Sequence, residues 1–360
     1  MTPPPDNSAT LPTRTLLSGD GGSGGTLPSW APWGAFVGAL VFCAAVEAAL
    51  GWFTIALMLV FGALVAIVAI YAWSRAVEGH RRAKDRAITM AIASAFGVAM
   101  APLISLLYEV FKRGLRGINW EFFTSDARGA VSGGGAEHAI VGTLVITACA
   151  VVISVPIGIM AAIYMNEYGR GPLRRALTFF VDVMTGIPSI VAGLFAYALF
   201  ELFLGPGIQL GIMGSLALSV LMIPIVIRSA EEVLKIVPNH LREAAYALGT
   251  PKWKVVVKVV LPTAFAGLVT GVMIATARII GETAPLLVTT GVVDSLNANP
   301  FSGRMQNLAV YAYDEYRSPG VMKPAAYDRA WAAALTLIVI VMILNVIARL
   351  VYRRYKTEIR

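Results

Sequence analysis

Charge is scarce in this chain. Asp, Glu, Lys and Arg make up 14% of its 360 residues, against 57% hydrophobic. Soluble domains carry roughly a quarter charged residues, so an ordinary water-facing globule is excluded. Cysteine and histidine are scarcer still, at two and three residues. Cys43 and Cys149 both fall inside apolar runs, where they read as small buried side chains rather than as a disulfide or metal pair. His80, His138 and His240 sit in separate polar stretches without ligand spacing, which argues against a metal site. No G-x-x-x-x-G-K-[ST] loop occurs; the GDGGSGG of residues 19–25 lacks the lysine and following helix that a phosphate cradle needs. No cofactor is expected.

What the chain does have is long apolar runs. A helix needs roughly 20 apolar residues to cross about 30 Å of hydrocarbon, and several stretches qualify. Their unbroken character points to an all-α integral membrane protein rather than a barrel of alternating strands. Residues 1–31, rich in Pro, Gly and Ser, are expected to be a disordered tail. The tail lacks the basic start and cleavage site of a signal peptide, so it is expected to be retained. Eight spans follow, at about 33–50, 52–73, 87–110, 140–164, 177–203, 210–228, 260–284 and 331–351. The first two are close enough to be a re-entrant pair.

The net charge of +8 is distributed as in a membrane protein, not as in a nucleic-acid binder. With the N-terminus inside, 20 of the 29 Lys and Arg fall on the cytoplasmic side and eight outside, with Arg278 alone within the membrane. That bias predicts cytoplasmic termini and a cytoplasmic loop from Arg228 to Lys258. Two outer loops, about 111–139 and 285–330, either connect spans or form a docking rim for an external partner.

Irregular backbone is expected inside the spans. Pro156, the run Gly186-Ile187-Pro188-Ser189, and Pro224 each remove or disturb a helical hydrogen bond that must be replaced within the protein. Gly186, Pro188 and Pro224 are therefore candidate helix breaks or gates. Gly267 and Gly271 form a small face that permits close helix contact. Together these features favour a bundle with bendable helices around a cavity.

Between Arg228 and Gly249, apolar residues at Val233, Ile236, Val237, Leu241, Ala244, Ala245 and Leu248 predict short amphipathic helices broken at Pro238. Gly249-Thr250-Pro251 then stops the helix. Such a loop docks a protein, lies on anionic lipid, or merely connects spans, and spacing alone leaves the three open. The text is more specific. Glu243-Ala244-Ala245, then Gly249, then Val259-x-Leu261-Pro262 resembles the EAA loop of ABC-importer permeases, with Val259 where that family has Ile. GGGAEHAIVGTL (133–144), IGIMAAIYMNEYG (157–169), GIPSIVAGLF (186–195), REAAYALGTPKWKVVVKVVLP (242–262) and ARIIGETAPLL (277–287) resemble the phosphate permeases of that class.

The resemblance implies a six-helix permease core over residues 87–360, with the coupling loop at about 228–262. Residues 32–86 would be an added transmembrane hairpin and basic loop. It implies that Arg242, Glu243, Ala244, Ala245, Gly249, Leu261 and Pro262 serve the coupling to an ATPase. The implied partners are a second homologous permease subunit, two ATP-binding subunits and an extracytoplasmic phosphate-binding protein, in a bacterial cytoplasmic membrane. Nucleotide hydrolysis would come from those partners.

Arg278 and Glu282 are expected four apart on one helix, where they could pair. A membrane-buried arginine costs roughly 2.5–3.5 kcal/mol on insertion scales, so it faces a pathway or locks a helix contact; both readings stand. For phosphate, Arg278 would present a fork of donors, and Glu282 would accept a hydrogen bond from an anion that still carries a proton. A permease for another oxyanion (molybdate, sulfate) is the alternative. An ion-gradient carrier using Asp182 or Glu282 is the alternative from a different class.

Overall fold

The computed structural model describes residues 25–51, 54–128 and 134–356. Most of the expected tail therefore lies outside the described residues. Among those described there are helices and no strands. The chain divides at Leu107/Tyr108 into two compact units.

The first unit begins with α1 (Ala31–Ala49) and α2 (Ile55–Glu78), two apolar helices. Helix α3 (His80–Gly117) starts with the basic stretch. Arg81, Arg82, Lys84 and Arg86, expected in a loop, thus form its first turns. Gly79, at φ +88°, is the hinge between α2 and α3. Three elements meet on one carboxylate here. Glu78 accepts from the Leu27 amide at 2.8 Å, from Ser74 Oγ at 2.8 Å and from Arg86 Nη2 at 2.8 Å.

The second unit takes up the end of α3 and continues with α4 (Trp120–Thr124) and α5 (Glu137–Ile163). A wide π turn (Tyr164–Tyr168) extends α5. Next come α6 (Pro172–Thr185) and α7 (Ser189–Leu204), bent 108° from each other. The span expected over 177–203 is therefore an elbow. Pro188 offers no amide to continue α6 and biases Ile187 away from helical backbone.

Helix α8 (Gly211–Ile236) is the buried axis, and α9 (Asn239–Ala247) follows the break at Val237-Pro238. The short α10 (Lys252–Val255) and a second π turn (Val256–Val260) lead into α11 (Leu261–Ile279). The chain closes with α12 (Ala284–Thr289), α13 (Leu308–Arg317) and α14 (Lys323–Lys356). Seven described helices are long and apolar enough to cross a membrane, and the α6–α7 elbow would make an eighth span.

Small residues let α8 sit against its neighbours. On α5, a Cβ at Gly158 would come within 2.6 Å of Val226 Cγ1. On α11, a Cβ at Gly271 would lie 2.7 Å from Ser229 Cβ, and one at Gly267 would lie 2.5 Å from Val233 Cγ1. The expected small face of α11 is thus pressed on α8. Ser215 donates to the Ile146 carbonyl across the α5–α8 seam at 3.1 Å, a bond suited to a site without water.

Pro156 and Pro224 differ from expectation. Both lie inside unbroken helices, because tight packing of α5 on α8 holds the coil around each missing donor. Of the candidate breaks, only the Gly186–Pro188 run interrupts the helix.

The outer loops are built, not slack. Phe122, Ala136, Ala139, Leu308, Tyr311 and Ala332 form a small core joining α4, α5, α13 and α14. Ala127 donates to the Asp294 carbonyl at 3.0 Å. The amides of Arg128 and Leu296 hold the Asp126 carboxyl below its usual range.

Candidate functional site

The segment from α8 to α12 holds most of the predicted site residues, and it treats them in two ways. At one end, α9 is seated by a single side chain. Arg242 makes five hydrogen bonds from a guanidinium only 13% exposed. Nη1 donates to the Val237 carbonyl at 2.6 Å and to Asn239 Oδ1 at 3.1 Å. Nη2 donates to the Leu234 carbonyl at 3.0 Å and to Glu167 Oε1 at 2.8 Å. Two of those acceptors are carbonyls left over at the end of α8, which basic side chains satisfy well. Glu167 is only 6% exposed and sits on the first π turn. One arginine therefore ties α9 to the ends of both α5 and α8.

The opposite face of α9 is bare. Glu243, Ala244, Tyr246, Ala247, Leu248 and Gly249 are exposed, Leu248 at 85%. Ala245 faces inward against a core that includes Leu234, Val237, Val255 and Val260. Gly249 closes the helix at φ +72°. Its neighbour Thr250 donates back to the Ala245 carbonyl at 3.2 Å, the wrap of a Schellman ending. Leu261 packs on the same core, and Pro262 stands where the second π turn gives way to α11. The predicted group is thus divided. Arg242, Ala245 and Leu261 build the seat, while Glu243, Ala244 and Gly249 face outward.

At the other end, Arg278 and Glu282 do not share a helix. Helix α11 stops at Ile279, and the Glu282 amide donates to the Ile279 carbonyl at 3.1 Å in a turn. Gly281 weakens the coil there, and Pro285 belongs to the next helix. Arg278 is exposed and Glu282 half-buried. Neither makes an ion pair among the described residues. The turn is steadied from outside: Asn307 donates to the Glu282 carbonyl at 3.4 Å. Gly193 of α7 lies so close to Pro285 that a Cβ would come within 2.6 Å of its Cα.

Other charges are brought together unforeseen. Arg228 pairs with Asp182 of α6 and, at 3.0 Å, with Glu231; Lys235 Nζ reaches Glu231 at 2.8 Å. The cluster tethers the elbow to α8. Arg228, Glu231 and Lys235 stand at helical spacing, a signal that was available once α8 was taken past residue 228. Asp182, 46 residues away in sequence, gave none. The Glu315–Arg329 pair, at 2.8 Å, joins α13 to α14 in the same way. Burial pushes the Glu315 carboxyl up, and Arg329 works against that shift.

Comparison with known proteins follows this geometry. Residues 154–359 match the family described as "Binding-protein-dependent transport system inner membrane component". A Mycobacterium leprae protein named "Phosphate transport system permease protein PstA" is 44% identical over 275 residues, 75% of this chain and 89% of that protein. A Yersinia pestis protein of the same name is 37% identical over 290 residues, covering 78% and 94%. Among solved structures, a bacterial alginate ABC transporter in complex with its alginate-bound periplasmic protein shares the fold. Its TM-score is 0.54 at 14% identity, over 76% of this chain and 96% of that one.

Proposed function

Since the chain belongs to the binding-protein-dependent transport inner membrane components, and among them to the phosphate permeases of the PstA type, we propose that it is the membrane subunit through which an ATP-driven importer passes inorganic phosphate. The similarity to phosphate permeases over three quarters of the chain carries this reading, and it lends nothing to the molybdate, sulfate or ion-gradient alternatives.

In this reading both termini and α9 face the cytoplasm, in line with the excess of Lys and Arg on that side. Of the two ATP-binding subunits of the importer, one docks the bare face of α9, where Glu243, Ala244, Leu248 and Gly249 leave room for close contact. A second, homologous permease subunit completes the pathway. A phosphate-binding protein delivers the anion to the outer loops. This chain has no phosphate-cradling loop of its own, so the energy arrives from the docked ATPases.

The clamp at Arg242 makes α9 a lever rather than a pad. A push on Leu248 or Glu243 is borne by Glu167 and by the last carbonyls of α8, because nothing softer lies between. Helix α8 passes the displacement to α11 along the Gly267–Gly271 seam, and to the elbow through Arg228 and Asp182. At the end of α11, Arg278 holds no carboxylate among the described residues and so keeps its donors for phosphate oxygens. Glu282 selects an anion that still bears a proton, as phosphate does near neutral pH and sulfate does not.

Reconstitution with the candidate ATP-binding subunits, second permease and binding protein tests the proposal. ATP-dependent uptake of labelled phosphate is expected, and none without the ATPases. Uptake by this chain alone in an ion gradient would overturn it.

A further inference from the structure

The first unit contains a groove of about 910 Å³ that the transport mechanism above does not use. All of its lining residues lie between Thr26 and Gly97, within that unit. Trp33 and Phe36 of α1 line it together with Met90 and Phe96 of α3, and its charged residues are Glu78, Arg82, Asp85 and Arg86. The groove is thus apolar along its length and ionic at one end. Such an amphipathic shape fits a ligand with the same asymmetry.

The two arginines at the ionic end differ. Arg86 is consumed: its Nε lies 2.6 Å from Glu78 Oε2, and its Nη2 donates 3.3 Å to the Leu27 carbonyl and 2.8 Å to Glu78 Oε1. That tie joins α2, α3 and the lead-in to α1 at the ionic end of the groove. Arg82, one turn earlier on the same face of α3, is exposed. It makes no ion pair among the described residues. Within the lining, Arg82 and Asp85 balance once Glu78 and Arg86 are paired, while Arg81 and Lys84, just outside it, make the first turns of α3 as a whole net positive.

The length also fits. From Arg82 to Gly97, α3 rises about 22 Å at 1.5 Å per residue. Half of a bilayer, headgroups included, is about 20–22 Å. A cation at one end and an apolar wall of one leaflet's depth match an anionic phospholipid, and basic pockets between membrane helices bind such headgroups.

We propose that this groove is a binding site for an anionic phospholipid, its phosphate on Arg82 and one acyl chain along Phe36, Met90 and Phe96. None of its lining residues belongs to the segment around Arg278.

The full-length chain in nanodiscs provides the test. Brominated phosphatidylglycerol is titrated against brominated phosphatidylcholine, and quenching of Trp33 is isolated by difference from a Trp33→Phe variant. Stronger quenching by the anionic lipid is expected. An Arg82→Gln change should weaken it roughly five-fold, the factor that one cation contributes at a membrane surface. Arg81→Gln removes the same charge from a residue outside the groove and should weaken it less than Arg82→Gln does. Unaltered thermal unfolding of Arg82→Gln would show that the fold is intact, as expected for a side chain without an ion pair. Equal quenching by both lipids, equal loss in the two arginine variants, or displacement of the lipid by millimolar inorganic phosphate would each overturn the assignment.

Discussion

Arg242 and Arg278 stand at opposite ends of one stretch of chain, and their surroundings are opposite as well. Arg242 is enclosed, shared among four acceptor residues, and paired with a carboxylate that is itself almost sealed from solvent. Arg278 is exposed, and no described residue forms an ion pair with it. The sequence rates the two in reverse: the first falls in a loop and the second in an apolar span. The contrast teaches that an arginine's value to transport depends on what its donors already hold. A saturated guanidinium holds its neighbours together, while an unsaturated one keeps its donors free.

The sharpest way to break this contrast is at the seat of α9. Arg242→Ala leaves the buried Glu167 without its cation, held only by the Asn166 amide at 2.9 Å, and strands two carbonyls at the end of α8. Removing one partner of a buried pair costs about 3–5 kcal/mol, so thermal unfolding in detergent should drop markedly. Exchanging the two residues should not rescue it, because a glutamate at 242 cannot donate to the Leu234 and Val237 carbonyls. Full stability in the exchanged protein would show that α9 is held otherwise.

Next in size is Arg278→Gln. Losing a charge-assisted contact of about 1.5–3 kcal/mol should lower phosphate uptake by roughly 10- to 100-fold while the unfolding midpoint stays put. Arg278→Lys should recover only part of the activity, since a point charge replaces a fork. A loss of stability equal to that of Arg242→Ala would erase the distinction between the two arginines.

Leu248→Asp comes third. The side chain is 85% exposed, so folding should be unaffected, within about 0.5 kcal/mol. Stimulation of the ATPase by the assembled complex should nonetheless fall, roughly ten-fold if the residue is a docking anchor worth more than about 1 kcal/mol. Unchanged stimulation would remove the bare face of α9 from the coupling path.

The smallest effect is expected at Glu282→Gln, which should retain most phosphate uptake and lose discrimination against sulfate. Competition uptake measures it. An unaltered preference would leave Glu282 as a turn residue only.

Much of this molecule was legible before folding. The break at Pro238, the closure of α9 at Gly249 and the small face of Gly267 and Gly271 follow from local rules about proline, glycine and helical spacing, and the structure follows them. The elbow at Gly186–Pro188 was legible as a break but not as a bend of 108°, because its angle depends on what α6 and α7 touch. Pro156 and Pro224 show the opposite failure, since packing on α5 and α8 overrode a local signal. The turn after Ile279 was misjudged by hydropathy: the apolar run continues through Ala284 while Gly281 and Pro285 end the coil. Partners such as Glu167 and Asp182 were out of reach, lying 75 and 46 residues from the arginines they meet. Periodicity assigns a residue to a face and is silent on which distant charge waits there.

The wide turn at Val256–Val260 bears on how such a machine avoids breaking its own bearings. Leu261 donates there to the carbonyl five residues back, at Val256, instead of four. The coil therefore stores one surplus residue, equal to about 100° of rotation in a regular α-helix. That slack lies between the segment gripped by the seat and the rod that ends at Arg278. A rod driven from the seat would have that surplus to take up or release as it twisted about its own axis.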